Sequence, residues 1–151
     1  MGAVRAAKNH DIDKLLPLLR AMHAESGFRE VSLNEQKLRS VVTFAISNPN
    51  HCCLVYESAG ATIDGLMIGY TSEYFFSTEL GAWDLLFYVR PQRRGSLVAY
   101  RLWKAFRQWA KTAGARLVWL GTSANIAPHL TQKFYTGLGM TESGTLYRLP
   151  T

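Results

Sequence analysis

The chain's 151 residues predict an α/β fold: a mixed sheet with helices packed on its faces. Three observations carry this reading. Apolar residues recur every three or four positions in separate segments near both ends and in the second half of the chain. Between those segments lie short runs rich in β-branched and aromatic residues, bounded by Gly, Asn and Pro. No repeat, low-complexity tract or Pro/Gly-rich linker interrupts the pattern, so residues 1–151 are read as a single domain.

Element by element, Val4-Arg5-Ala6 is a short first strand, and residues 9–11 offer a helix cap. Ile12, Leu15, Leu16, Leu19 and Met22 then recur at helical spacing, with Pro17 as a point of bending. Residues 34–47 form a second helix through Leu38, Val41, Val42 and Ala45, closed by Asn48-Pro49-Asn50. Residues 51–58 and 63–76 read as strands joined by a turn at Ala59-Gly60, and the nearly unbroken apolar run 83–89 as a strand buried on both faces. A loop over 90–95 leads to an amphipathic helix bearing Val98, Leu102, Ala105, Phe106 and Trp109, which Gly114 ends. Residues 116–121 supply the next strand, 128–138 a further helix, and 140–149 a last strand or hairpin.

Composition excludes several classes of protein. At 48% apolar and 19% charged residues, the chain is globular rather than disordered. No apolar run reaches the length of a membrane span, and the first residues lack the long apolar stretch of a secretory signal. Cys52 and Cys53 are adjacent and would pair only under strain, so a reducing, cytoplasmic setting is expected. His10, His23, His51 and His129 do not fall at metal-ligand spacings, and no metal is expected. No GxSxG elbow points to a hydrolase.

Charge is uneven. Residues 1–84 hold seven Lys/Arg and ten Asp/Glu, whereas residues 85–151 hold ten Lys/Arg and one acid, Glu142. A basic C-terminal half suits a polyanion, either a phosphate-bearing ligand or nucleic acid. Arg101, Lys104, Arg107 and Lys111 read as a solvated helix face, but Arg90, Arg93 and Arg94 crowd one loop.

That loop lies in the most informative stretch, Asp84 to Leu102. A strand runs into a basic turn, and the turn opens a helix whose first residues are small or apolar. The first amides of a helix lack intrahelical acceptors and carry partial positive charge, so they suit a pyrophosphate wherever bulky side chains leave room. Gly95 and Ser96 leave that room, and Arg94 adds charge.

Val89, Pro91, Arg94, Gly95, Ala99 and Leu102 resemble the acetyl-CoA-binding segment of the GNAT superfamily of N-acetyltransferases. Val4-Arg5-Ala6 with Asp11 is similar to that family's first strand and helix start, and Phe134-Tyr135 through Gly139-Met140 to its Tyr-x-x-x-Gly-Phe segment. Leu97 stands where the family has a glycine, which requires a negative φ at that position. Met140 stands for Phe.

The resemblance implies a GNAT-like fold, a mostly antiparallel sheet with helices on both faces. It implies transfer of acetyl from acetyl-CoA to a primary amine on a small molecule or protein, with a homodimer as the family expectation and neither nucleic acid nor membrane as partner. Phe87 and Val89 would hold the cofactor arm through their backbones, the turn Arg94, Gly95, Ser96, Leu97, Val98 and Ala99 its phosphates, and Asn125 a further contact. Tyr135 would protonate the departing thiolate. Residues 85–141 contain no carboxylate, so a base must come from elsewhere; Asp84 and Glu73 are the candidates, and a one-residue slip in strand register would turn either to the wrong face. Tyr70, Tyr74, Phe75 and Phe76 are candidates to line an acceptor pocket. Two other readings stand beside this one: an acyl-CoA sensor without turnover, motivated by Leu97, and a basic nucleic-acid-binding module.

Overall fold

A computed structural model describes residues 2–122 and 124–151. Strand β1 (Ala3–Ala6) passes through a short 3-10 turn into helix α1 (Ile12–Glu25), followed by α2 (Glu35–Ser47). Strands β2 (His51–Ser58), β3 (Thr62–Glu73) and β4 (Leu80–Val89) form a meander, after which come α3 (Val98–Thr112), β5 (Ala115–Trp119) and α4 (Pro128–Gly137). The five strands lie in chain order; the first four pair antiparallel, and β4 pairs with β5 in parallel. A helical crossover is what a parallel neighbour requires, and α3 supplies it.

The sheet separates two apolar layers. On one side Leu15, Leu18 and Leu19 of α1 and Val42 of α2 pack against Val55, Leu66, Ile68 and Tyr88. On the other, Val98, Leu102 and Phe106 of α3 pack against Met67, Ala82 and Val89, with Phe134 of α4 and Leu138 just after it beside them. The α3 layer lies close to the sheet at Gly69, where an added Cβ would stand 2.2 Å from Phe106 Cε2. The first turn is locked by a buried charge: Asp11, fully buried, accepts from the two terminal Arg5 guanidinium nitrogens at 2.7 and 2.9 Å and from the Lys8 amide at 2.8 Å. These bonds hold its carboxyl down at about 2, a charge-assisted pair that fixes β1 to the start of α1.

Helix α1 spans Pro17 without interruption. Three expectations change. Strand β3 stops at Glu73 rather than Phe76, because the chain turns there and Glu73 pairs with Leu80, which starts β4 early. Strand β4 is not buried on both faces along its length: Leu85 is 46% exposed, since α1 and α2 lie mainly over β2 and β3 and leave β4 open at that residue, although Tyr88 further along is covered. Residues 141–151 form no strand, and Leu146, Tyr147 and Leu149 are exposed. Their spacing is the reason: in a strand Tyr147 and Leu149 would face one way and Leu146 the other, leaving no single face to bury.

Candidate active site

The parallel pairing of β4 and β5 ends at Trp83 and Trp119, although β4 continues to Val89. Beyond that row β5 ends, and among the described residues no strand pairs with the rest of β4 on this side, which leaves a gap there. Arg90 N–H donates to Asp64 C=O at 2.9 Å, in register with the pairs Leu66/Tyr88 and Ile68/Leu86. Antiparallel pairs alternate, so the intervening residues Phe87 and Val89 turn their N–H and C=O away from β3, toward the gap. The Val89 carbonyl there accepts from Arg94 Nε at 3.0 Å. The Phe87 ring meets Phe134 of α4 edge-on, with centroids 6.3 Å apart.

A bulge sets which side chains face this gap. The register slips between Ile68 and Gly69, leaving Leu85 as the extra residue of β4. Ala82 belongs to the α3-side core, whereas Leu86 and Tyr88 belong to the α1-side core. Unbroken alternation would have put all three on one face.

Asp84, immediately before the bulge, accepts the Gly121 N–H at 3.0 Å. The Gly121 carbonyl in turn accepts from Tyr135 Oη at 3.1 Å. One peptide residue past the end of β5 thus links the two candidate catalytic side chains. Burial pushes the Asp84 carboxyl up to about 6, against the opposing effect of the Gly121 N–H and its own backbone amide. Burial also raises the Tyr135 phenol, and the nearby Asp84 charge raises it further, so Tyr135 keeps its proton. The pair has a carboxylate ionised at neutral pH and a phenol that is a proton donor at every working pH.

At the far end of β4 the chain turns through a short 3-10 segment, Pro91–Arg93, to Gly95, whose φ of +78° favours glycine. Nothing lies within 4 Å of where a Gly95 Cβ would project. Ser96 Oγ donates to Arg93 C=O at 2.6 Å and tightens the turn. Leu97 has φ −76°, which meets the condition its branched side chain imposes, and that side chain is mostly exposed. The first bond of α3 joins Arg101 N–H to Leu97 C=O, so the Ala99 and Tyr100 amides find no backbone acceptor among the described residues.

The arginines of this turn are less free than their sequence clustering suggests. Arg90 Nε donates to Ile63 C=O at 2.9 Å, Arg93 lies 3.3 Å from the Asp64 carboxylate, and Arg94 pairs with Glu25 at 2.9 Å. Glu25, the last residue of α1, also accepts the Tyr88 hydroxyl, and the Arg94 guanidinium lies 5.3 Å from the Tyr88 ring centroid. Glu25 and Tyr88 had no signal in the sequence: they stand 63 positions apart, and Glu25 is 69 from Arg94.

Two candidates lie away from the Asp84–Tyr135 pair. Glu73 is exposed at the tip of the β3–β4 hairpin, beside Leu80. Asn125 is exposed in the loop after β5 with φ +53°, and that loop docks on the end of α1 through a Gly27 N–H bond to Ala124 C=O at 2.8 Å. A surface cleft of about 570 Å³ lies among Thr78, Leu80 and Ala115 at the paired end of β4 and β5, apart from these groups. Among the described residues no cluster of three or more His, Cys, Asp or Glu could hold a metal ion, and no helix is long and apolar enough to cross a membrane.

A family model described as "Acetyltransferase (GNAT) family" matches residues 14–140. No curated protein matches the sequence. Among solved structures the chain is similar to an acetyltransferase of Trypanosoma brucei, at 16% identity and a TM-score of 0.76 over 100% of both chains. It is similar to an aminoglycoside acetyltransferase from an uncultured soil metagenomic sample, solved with sisomicin, at 16% identity and TM-score 0.75 over 99% of this chain and 95% of that one. A ribosomal-protein-alanine N-acetyltransferase from Brucella melitensis gives 15% identity and TM-score 0.73 over 100% and 99%. At these identities the likeness is one of fold.

Proposed function

The chain belongs to the GNAT acetyltransferase family, and from that premise we propose that it moves an acetyl group from acetyl-CoA directly to a primary amine. The observation that carries the reading is the gap between β4 and β5, with the α3 N-terminus at its mouth and the Asp84–Gly121–Tyr135 link at its apex.

The residues present fit such a cosubstrate. The backbone groups of Phe87 and the Val89 N–H, turned away from β3, suit an extended amide-bearing arm, which would add to β4 as a strand does. The α3 amides and the open space at Gly95 suit a pyrophosphate. Arg94, Ser96, Leu97, Val98 and Ala99 shape that turn, and Asn125 is proposed as an outer contact. The cosubstrate supplies the thioester. The Val89 N–H is the donor proposed for the thioester oxygen as charge develops there.

Asp84 is the proposed base. Its carboxyl near 6 is ionised at neutral pH yet more basic than an ordinary carboxylate, which narrows the gap to an ammonium of about 10. It takes the amine's proton, directly or through a water; the nitrogen bonds to the acyl carbon and the carbon–sulfur bond breaks. Tyr135 gives its proton to the departing sulfur, and the second proton, lost by the acylated nitrogen, returns through water to the Tyr135 phenolate, leaving neutral amide, free thiol and protonated Asp84. Glu73, exposed at the hairpin tip, is the weaker candidate for the base.

Buried, free Cys52 and Cys53 support a reducing, cytoplasmic setting. A homodimer would have apolar surface available in Phe75 and Phe76 at the hairpin tip.

Calorimetric titration with acetyl-CoA tests the reading. In Gly95→Trp the new side chain has open space in the free protein, so its collision is with the ligand. Binding should fall by about 100-fold or more, whereas Gly95→Ala, which shares the positive-φ strain, should lose far less. Equal affinity in wild type and Gly95→Trp would remove the turn from the site.

A further inference from the structure

On the α2 side of the sheet, where β4 is open at Leu85, a groove of about 450 Å³ runs between α2 and the strand, lined by Lys37, Ser40, Val41, Phe44, His51 and Leu85. Three features bear on what it holds. Its position comes from the bulge: Leu85 is bonded to Asp84 but lines the α2 side, while the Asp84 carboxylate points into the gap between β4 and β5 at Gly121. Asp84 pairs with Gly69, whose Cβ direction meets Phe106, so the base sits on the α3 side of the sheet, and the groove reaches it across the edge of β4 at Leu85, beyond the last β5 pair at Trp83.

The walls are flat and apolar. Phe44, 54% exposed, meets His51 edge-on at 4.9 Å; His51 stacks on Tyr70 at 5.7 Å, and Tyr70 on Trp83 at 5.8 Å. This aromatic row crosses three strands and ends on the residue before Asp84. Within it, His51 Nδ1 is buried with no hydrogen-bond partner, a polar atom that a ligand hydroxyl or N–H would satisfy.

The charge is the third feature. None of the lining residues is acidic, Lys37 is cationic, and burial lowers the His51 pKa and so favours its neutral form. A polycation would find no counter-charge here beyond Asp84, and Lys37 would repel it. One ammonium, placed at Asp84, is what the charges accommodate.

We propose that this groove is the acceptor subsite and that the acceptor is a primary monoamine on a flat aromatic body, an arylalkylamine, rather than a polyamine or aminoglycoside. The proposal rests on the transferase reading above. It refines the earlier expectation for the aromatics: Tyr70 lies in the row, whereas Phe75 and Phe76 lie at the hairpin tip.

Thiol release from acetyl-CoA is measured with tyramine, 2-phenylethylamine, spermidine and kanamycin, alongside calorimetric titration of tyramine. The aryl amines should exceed the polycations in kcat/KM by tenfold or more. Phe44→Ala, at an exposed and tolerant position, should raise the KM for tyramine about tenfold, the worth of one aromatic contact, while acetyl-CoA affinity stays put. His51→Phe should weaken tyramine, whose hydroxyl can meet Nδ1, more than 2-phenylethylamine. Preference for spermidine or kanamycin, or an unchanged tyramine KM in Phe44→Ala, overturns the proposal. Phe44-dependent tyramine binding without thiol release from any amine supports the groove and refutes the transferase reading instead.

Discussion

Replacing Asp84 by Asn should do two opposite things, and the structure gives the size of both. The carboxyl is displaced from 3.8 to about 6, chiefly by burial. A folded-state pKa above the unfolded value means that the native protein binds the proton more tightly, so ionisation opposes folding. The penalty is absent below pH 3.8, grows as pH rises to about 6, and is complete above that. A shift of two units corresponds to about 3 kcal/mol, and partial exposure of the side chain reduces this to about 2 kcal/mol. Asparagine carries no charge and keeps an oxygen for the Gly121 N–H. Asp84→Asn should therefore raise Tm at pH 7.5 by about 4–8 °C and leave it unchanged near pH 3.5. The same change removes the base: kcat/KM at neutral pH should fall by about 10²–10⁴, lose its acidic limb near pH 6, and recover in part at high pH, where free amine is plentiful. Glu73→Gln should alter neither property as much. Scanning calorimetry across pH and a thiol-release pH profile provide the two readings. A variant as active as wild type with an unchanged acidic limb would refute the assignment of the base. A lower Tm at pH 7.5 would refute the burial argument.

Tyr135→Phe should lower kcat about 100-fold with little effect on acetyl-CoA affinity, since only the proton donor is lost; a change confined to KM in steady-state kinetics would make Tyr135 a packing residue. Glu25→Gln tests how Arg94 acts. If Arg94 works by tying the turn to α1 and to the Val89 carbonyl, acetyl-CoA affinity falls about three- to tenfold; if Arg94 instead meets the phosphates directly, freeing it from Glu25 raises affinity, and calorimetry reads the sign. Gly69→Ala drives a Cβ to 2.2 Å from the buried Phe106 ring and 3.0 Å from Trp83 C=O, so thermal denaturation should show a loss of roughly 3–10 °C, the cost of an overpacked core; an unchanged Tm would mean that α3 can withdraw freely.

Some of this was available without coordinates. The helical spacing of Leu15, Leu16 and Leu19, the small and apolar start of α3, and the chain order of strands and helices are local patterns, set by side chains a few residues apart. They determined the α/β class, the strand–turn–helix from Asp84 to Leu102, and Tyr135 on the last helix. The tail shows the limit of such reading: residues 140–149 were expected to form a strand or hairpin, but in a strand Leu146 and Leu149 cannot share a face, and an isolated strand has nothing to stabilise it.

What the tertiary structure alone decided concerns direction and pairing. The orientation of Asp84 depends on one extra residue at Leu85, and a bulge depends on the facing strand as much as on its own sequence. Its raised pKa follows from what buries it, and its link to Tyr135 passes through Gly121, which no motif marked. Arg94 read as a free charge in sequence, but in space it is tied to Glu25 across 69 positions and to the carbonyl of Val89. Periodicity reports which residues are buried. Which charges meet, and on which face, is fixed only when distant segments pack.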